Sequence, residues 1–99
     1  MSALVIFSGK TYENENGYFY IPVTWREEFN LQSGKVMGID YKSNFLIIDT
    51  KPSREYKQKI NSKGYLTIPL DLREKLHSNK FYIIVEQREE KIILAPVID

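Results

Sequence analysis

The middle of the chain carries a run of basic side chains that could bind a polyanion. Its members are Lys51, Arg54, Lys57, Lys59 and Lys63, and Glu55 is the only acidic residue among them. Residues 51–99 as a whole hold ten basic and seven acidic side chains, against four and six in residues 1–50. Clustered cations attract nucleic acid, although a solvated lysine-rich linker would have the same composition. Charge alone leaves both interpretations open.

Residue types suited to catalysis or metal binding are scarce. The chain has no cysteine, and its single histidine, His77, has no acidic pair beside it with which to build a metal site or a catalytic triad. No glycine-rich phosphate loop and no metal-ligand spacing is present in the sequence. We therefore expect no enzymatic activity, no cofactor and no metal, and we interpret His77 as a helix-end cap.

Length and composition indicate one small domain. A chain of 99 residues with 42% apolar residues is too hydrophobic for disorder and too short for two cores, so we predict a single domain over residues 1–99. The absence of cysteine favours an intracellular compartment. The apolar stretch from Ala3 to Phe7 is far shorter than the roughly 20 residues of a membrane span, and no basic region precedes it. We expect a cytoplasmic protein without membrane contact.

Two segments of the chain are related in sequence. Residues 16–29 and 63–76 align without a gap at a constant offset of 47, with identical Gly, Tyr, Ile, Pro, Arg and Glu positions. The offset falls to 44 between Pro52 and Pro96. An internal repeat is thus predicted, with the first copy over about residues 10–52 and the second over about residues 56–97.

Each copy has the pattern of two strands, a short helix and two further strands. Glycine in the turns before Tyr18 and Tyr65 favours hairpins. Period-two alternation places one set of side chains on the core face, namely Phe19, Ile21, Leu66 and Ile68. The opposite face then carries Tyr18, Tyr20, Tyr65 and Thr67.

Proline ends the second strand of each copy and a helix follows it. Thr24 with Glu27, and Asp71 with Glu74, have the spacing of a capping box at a helix start. Trp25 aligns with an apolar leucine and is predicted to lie in the core. A leading strand over residues 4–7 lies outside the repeat and is expected to cover a sheet edge.

One motif links these elements to a known family. The pattern Lys63-Gly64-x-Leu66-x-Ile68-Pro69-x-x-x-Arg73-x-x-Leu76, followed by a hairpin ending in Ile92-x-Leu94-x-Pro96, resembles the AbrB/MazE/SpoVT swapped-hairpin domains. The resemblance is stronger over residues 56–97 than over residues 10–52. It implies a mainly β fold with two short helices, in which the two repeats form a pseudo-twofold, AbrB-like swapped-hairpin barrel. A unit of this size cannot bury its own apolar face, which is a physical reason for the two copies to pair.

The resemblance also implies a function. Members of the family mostly bind double-stranded DNA as transcriptional regulators, or as antitoxins that repress their own operons, through basic groups on the strands and loops before the helix. The matching positions here are Lys57, Lys59 and Lys63 in the second copy and Lys10 in the first; the basic run adds Arg54. Glu13 and Glu15 make the first copy acidic, so the expected DNA face is concentrated in the second.

Three further positions have two interpretations each. Arg26 and Arg73, at matching helix positions, are expected either to contact phosphate or to form a structural ion pair, and the structural role is favoured. Tyr65 stands where many members of the family carry arginine; it could contact DNA, although packing on a pleated surface accounts for it as well. Besides DNA, the chain itself is an expected partner, as a homodimer or higher oligomer. The alternatives are an antitoxin-like or other protein-interaction module without strong DNA binding, and a structural assembly unit.

Overall fold

The computed structural model describes residues 5–13, 17–52, 54–76 and 78–97. His77, Leu4, Glu15 and Asn16, on which some of the sequence predictions fall, lie outside these ranges. The strands are β1 (Val5–Glu13), β2 (Tyr18–Tyr20), β3 (Val36–Lys42), β4 (Phe45–Asp49), β5 (Tyr56–Lys59), β6 (Tyr65–Thr67), β7 (Lys80–Glu86) and β8 (Lys91–Pro96), and the helices are α1 (Val23–Glu28) and α2 (Leu70–Lys75). The predicted mainly β fold with two short helices is confirmed.

The strands form two antiparallel sheets. A six-stranded sheet has the order β1-β7-β8-β4-β3-β5, and β2 pairs with β6 in a second, small sheet. Strands β1 and β5 are the edges of the large sheet, so the described strands do not close into the barrel that the resemblance implies. The chain leaves β5 through a tight turn, in which the Gly64 amide donates to the Asn61 carbonyl, and enters the small sheet instead of returning to β1.

Positions that match in sequence occupy corresponding places in these sheets. When β1 is exchanged with β5, β3 with β7 and β4 with β8, the strand order of the large sheet reads the same from its other edge. In the small sheet Phe19 lies opposite Leu66, its own counterpart in the sequence alignment. The amide of Ile21 donates to the Gly64 carbonyl at 3.1 Å, and the amide of Ile68 donates to the Gly17 carbonyl at 2.7 Å. Each segment therefore completes the backbone hydrogen bonding of the other.

The predicted match between Pro52 and Pro96 is wrong, because the last turns of the two segments differ in length. The turn between β3 and β4 spans only the two residues between the paired Lys42 and Phe45, whereas residues 87–90 separate β7 from β8. Before the turn Lys42 corresponds to Glu86, an offset of 44, and after it Phe45 corresponds to Lys91, an offset of 46. Pro96 lies within β8, opposite Phe81.

The first strand joins two segments that the sequence pattern separates. Strand β1 (Val5–Glu13) covers most of the predicted leading strand of residues 4–7 and the beginning of the first repeat copy at about residue 10, with a register shift against β7 between Phe7 and Thr11. Gly9 within this irregularity has a φ of 78°, a left-handed value that glycine adopts without strain. As expected, β1 lies at a sheet edge.

The predicted core face is confirmed. The side chains of Phe19, Ile21, Leu66 and Ile68 are fully buried, whereas Tyr18 and Tyr20 on the opposite face are exposed. Trp25 is half-buried and packs on the edge of this core, with its ring 5.6 Å from that of Phe29. Among the described residues, no helix has the length and apolar character needed to cross a membrane.

The predicted capping boxes are wrong. Both helices begin directly after proline: Pro22 and Pro69 are the N-cap residues, and neither helix has a side-chain cap hydrogen bond. The Pro22 carbonyl accepts from the amides of Trp25 and Arg26 at 3.0 Å. Because the proline ring fixes φ, it ends the strand and starts the helix two residues earlier than the capping-box pattern predicts. Thr24 and Asp71 therefore lie within the first helical turn.

Candidate nucleic-acid interface

Three exposed lysines follow one another along β5 and the turn after it. Lys57 and Lys59 are exposed on the edge strand β5, whereas Tyr56 and Gln58, which alternate with them, are half-buried. Lys63 lies in the turn that leads to β6. None of the three forms a salt bridge with another residue of the described ranges. We call Lys57, Lys59 and Lys63 the lysine edge.

Hydrogen bonds to one asparagine side chain fix the turn that carries Lys63. Asn61 Oδ1 accepts from the amides of Lys63 and Tyr65, each at 2.9 Å. Gly64 completes the turn with a φ of 85°, as its predicted role at a hairpin requires. The backbone around Lys63 is thus held in place while its side chain extends into solvent.

Three other basic residues of the second half, Lys51, Arg54 and Lys91, are paired with carboxylates. The Lys91 ammonium lies 2.8 Å from Glu89 Oε2, and the Lys51 ammonium lies 3.9 Å from the same oxygen. The basic run of the sequence therefore divides into a paired part around Lys51 and an exposed part on the lysine edge.

Arg54 belongs to the paired part. Its Nε and Nη2 donate to the two carboxylate oxygens of Asp49 at 3.0 and 2.7 Å, and its Nη1 donates to Asp40 at 2.9 Å. The stem of Arg54 crosses Gly38, where even a Cβ would come within 2.5 Å of it. Predicted as a DNA contact, Arg54 instead ties the segment after β4 to the outer face of the sheet. We leave it out of the interface for that reason.

The electrostatics of this network match its geometry. Burial by itself would raise the pKa of Asp49, but hydrogen bonds from Arg54 and from the Lys51 amide outweigh it and hold that pKa below its ordinary value. The Glu55 amide, and then Arg54, lower the pKa of Asp40. Both carboxylates are therefore charged at neutral pH, as the guanidinium between them requires.

Arg26 and Arg73 each lie against the turn glycine of the other segment. Arg26 Nε donates to the Ile21 carbonyl at 2.9 Å, and its Nη2 donates to the Tyr20 hydroxyl at 2.6 Å. A Cβ on Gly64 would lie 2.6 Å from the Arg26 guanidinium, and one on Gly17 would lie 2.7 Å from that of Arg73. These contacts favour the structural role for both arginines. At Arg26 the expected ion pair is replaced by packing and by hydrogen bonds to neutral oxygens.

The exposed face of the small sheet carries a group of three tyrosines, Tyr18, Tyr20 and Tyr65, which we call the tyrosine cluster. The Tyr65 ring lies 6.4 Å from that of Tyr18 and 5.2 Å from that of Tyr20, and both pairs meet edge to face. The Arg26 guanidinium stacks 4.9 Å from the Tyr20 ring centre. The alternation of the sequence predicted this shared face but gave Tyr20 no functional role.

Two hollows flank the tyrosine cluster and share Tyr18 as a wall. The larger, of about 430 Å³, is lined by Tyr18, Asn61, Lys63 and Tyr65. The smaller, of about 210 Å³, is lined by Lys10 and Glu13 among other residues. The structure thus brings Lys10, Lys63 and Tyr65 around one aromatic surface, while Lys57 and Lys59 line neither hollow. Asn61 lines the larger hollow but was not predicted from the sequence to belong to the site. Its position two residues before the predicted contact Lys63 was the one sequence feature that indicated it.

The described residues contain no group of three or more His, Cys, Asp or Glu side chains placed to hold a metal ion. Comparison of the chain with protein-family models, with curated proteins and with solved structures finds no match.

Proposed function

We propose that this chain is a DNA-binding transcriptional regulator of the AbrB type that binds duplex DNA through the lysine edge, with Lys10 on β1 as a further contact. The observation that carries the proposal is the succession of three exposed lysines along β5 and the turn after it. Lys57, Lys59 and Lys63 are exposed without a carboxylate partner among the described residues, whereas Lys51, Arg54 and Lys91 are paired. Unpaired surface cations attract the phosphate backbone, which dominates affinity for DNA.

The placement of these cations suits a backbone. Alternate residues of a strand lie about 6.6 Å apart on one side, so Lys57 and Lys59 follow an extended line along β5. Lys63 lies in the turn that follows β5. Such contacts position a protein on duplex DNA without reading its sequence.

The reciprocal contacts between the two segments support the AbrB-like part of the proposal. In a swapped-hairpin arrangement each unit supplies contacts that the other lacks. The backbone bonds from Ile21 to Gly64 and from Ile68 to Gly17, with an arginine over each glycine, have that reciprocal form. We infer an interlocked pair of units within one chain.

A second function, protein interaction without strong DNA binding, is favoured by a different observation. Strands β1 and β7 present exposed apolar side chains on the outer face of the large sheet, with Phe7 72% exposed, Val5 51% and Tyr82 46%. Phe7 pairs across the strands with Ile84, and Val5 with Glu86. Exposed apolar side chains on two neighbouring strands are typical of surfaces that contact other proteins.

Titration with labelled duplex DNA at two salt concentrations separates the two functions. The DNA-binding proposal predicts affinity that falls steeply as salt is raised, because each phosphate contact releases a counterion, with a logarithmic slope of about −0.9 per contact. Absence of binding at low salt would contradict it and leave the protein-interaction function.

A further inference from the structure

We propose that the hollow between Tyr18 and Tyr65 takes one unpaired nucleobase of the bound DNA, with the adjoining phosphate on Lys63. This inference rests on the proposed DNA binding and adds a preference for DNA in which a base is free of its stack. The hollow is the larger of the two beside the tyrosine cluster.

The aromatic walls of the hollow can stack on a planar ring. Tyr18 is 50% exposed although it lies in a strand, and Tyr65 lines the hollow from the neighbouring strand. The Tyr20 ring stacks with the Arg26 guanidinium and is not among the residues that line the hollow. Stacking of bases on exposed aromatic side chains is the usual way in which proteins hold single-stranded nucleic acid.

The polar walls complement the rest of a nucleotide. Asn61 uses its carboxamide oxygen for two backbone amides, which directs its NH2 group as a hydrogen-bond donor for a base oxygen or ring nitrogen. The Lys63 ammonium has no salt-bridge partner among the described residues and is available to a phosphate. A purely apolar occupant would use neither group, whereas a base with its phosphate uses both.

The base must be unpaired to reach this surface. Within a duplex the faces of each base are covered by its stacked neighbours, and only its edges are accessible in the grooves. Stacking against Tyr18 therefore requires a bulge, a mismatch or a flipped base. The free-energy cost of exposing a base is lowest when the base has already lost its pairing.

Binding to a duplex with one bulged thymine, compared with the fully paired duplex, tests the inference. We expect the parent protein to bind the bulged duplex about tenfold more tightly. Tyr18→Leu should abolish that preference and leave affinity for the paired duplex within about twofold, since phosphate contacts supply most of the latter. Tyr18→Phe, which keeps the ring, should retain the preference.

Tyr82→Leu is the matched control, because Tyr82 is a strand tyrosine of similar exposure, 46%, on the other sheet. It should leave both affinities unchanged. Equal affinity of the parent for the two duplexes, or a preference that survives Tyr18→Leu, would overturn the inference while the proposed duplex binding stands. Failure to bind either DNA would overturn both.

Discussion

At the scale of single residues, the approach of Arg26 to Gly64 is a tight constraint at a left-handed turn glycine. Gly64 and Gly34 have nearly the same left-handed φ, 85° and 88°, but a Cβ on Gly34 would meet nothing within 4 Å. Gly34→Ala should therefore lower the free energy of unfolding by only the conformational cost, about 1–2 kcal/mol. Gly64→Ala adds a clash with the guanidinium and should cost at least about 1 kcal/mol more.

Urea denaturation of the two variants measures that difference directly. The excess cost isolates the contact between the two segments, since the backbone penalty is common to both glycines. Equal losses would mean that Arg26 moves aside freely and does not secure the turn.

The buried carboxylate of Asp49 is the second residue on which stability depends. Asp49 is 2% exposed and holds Arg54 through two hydrogen bonds. Asp49→Asn removes the charge that compensates the guanidinium and should lower the free energy of unfolding by about 2–3 kcal/mol. Glu74→Gln, an exposed acid, should change it by less than about 0.5 kcal/mol, and a similar loss in both variants would contradict the account.

The same network predicts a dependence of stability on pH. Asp40 and Asp49 both have a lowered pKa in the folded chain. Their contribution is therefore fully present above the unfolded pKa of about 3.9 and is lost as the pH falls through the lower folded values. Unfolding free energies measured across this range should fall in acid for the parent and fall less steeply for Asp49→Asn. Parallel curves would count against the network as a source of stability.

At the scale of elements, proline sets the helix starts. Because Pro22 is the N-cap of α1 and Thr24 lies in the first turn, Thr24→Ala should change stability by less than about 0.5 kcal/mol. Replacing a residue whose side chain caps the helix would lower the free energy of unfolding by about 1 kcal/mol. Thermal or urea denaturation of Thr24→Ala distinguishes the small effect from the large one. A loss of about 1 kcal/mol would mean that Thr24 caps the helix after all.

The strands and their faces could be predicted from the sequence because alternation is a local property. Phe19 and Leu66 are buried and Tyr18 is exposed, as the period of two requires. The equivalence of Pro52 and Pro96 was a false match, because residues 87–90 make the β7–β8 turn longer than the two-residue turn between β3 and β4. Strand order and open sheet edges also depend on contacts far apart in the chain, and the family resemblance gave a closed barrel instead.

The candidate site was predictable only in part, for the same reason. Exposed strand lysines such as Lys57 follow from composition and alternation. The pairing of Arg54 depends on Asp40, which lies on a strand 14 residues earlier in the chain. The hollow at Asn61 needs Tyr18 from the other segment. Contacts of this range have no local signal in a single sequence.

At the scale of the whole molecule, one chain supplies both edges and the centre of the large sheet. Each strand of the first segment pairs with at least one strand of the second. The fold should therefore form within a single chain, and its Tm should not change with protein concentration. A Tm that rises with concentration in calorimetry would instead indicate obligate exchange of hairpins between chains.

The central claim is that the lysine edge binds the backbone of duplex DNA, and a comparison of two charge-matched triple variants tests it most directly. One variant replaces Lys57, Lys59 and Lys63 with alanine. The control makes the same change at exposed lysines away from β5, namely Lys42, Lys75 and Lys80. Both lose equal charge, so a general electrostatic effect would weaken them equally.

Fluorescence anisotropy with one duplex across a salt series gives the affinity and its salt slope for each protein. We expect the lysine-edge variant to bind far more weakly and to lose about three units of slope, one for each phosphate contact, while the control keeps nearly the parent slope. Equal slopes for the parent and the lysine-edge variant would contradict the account.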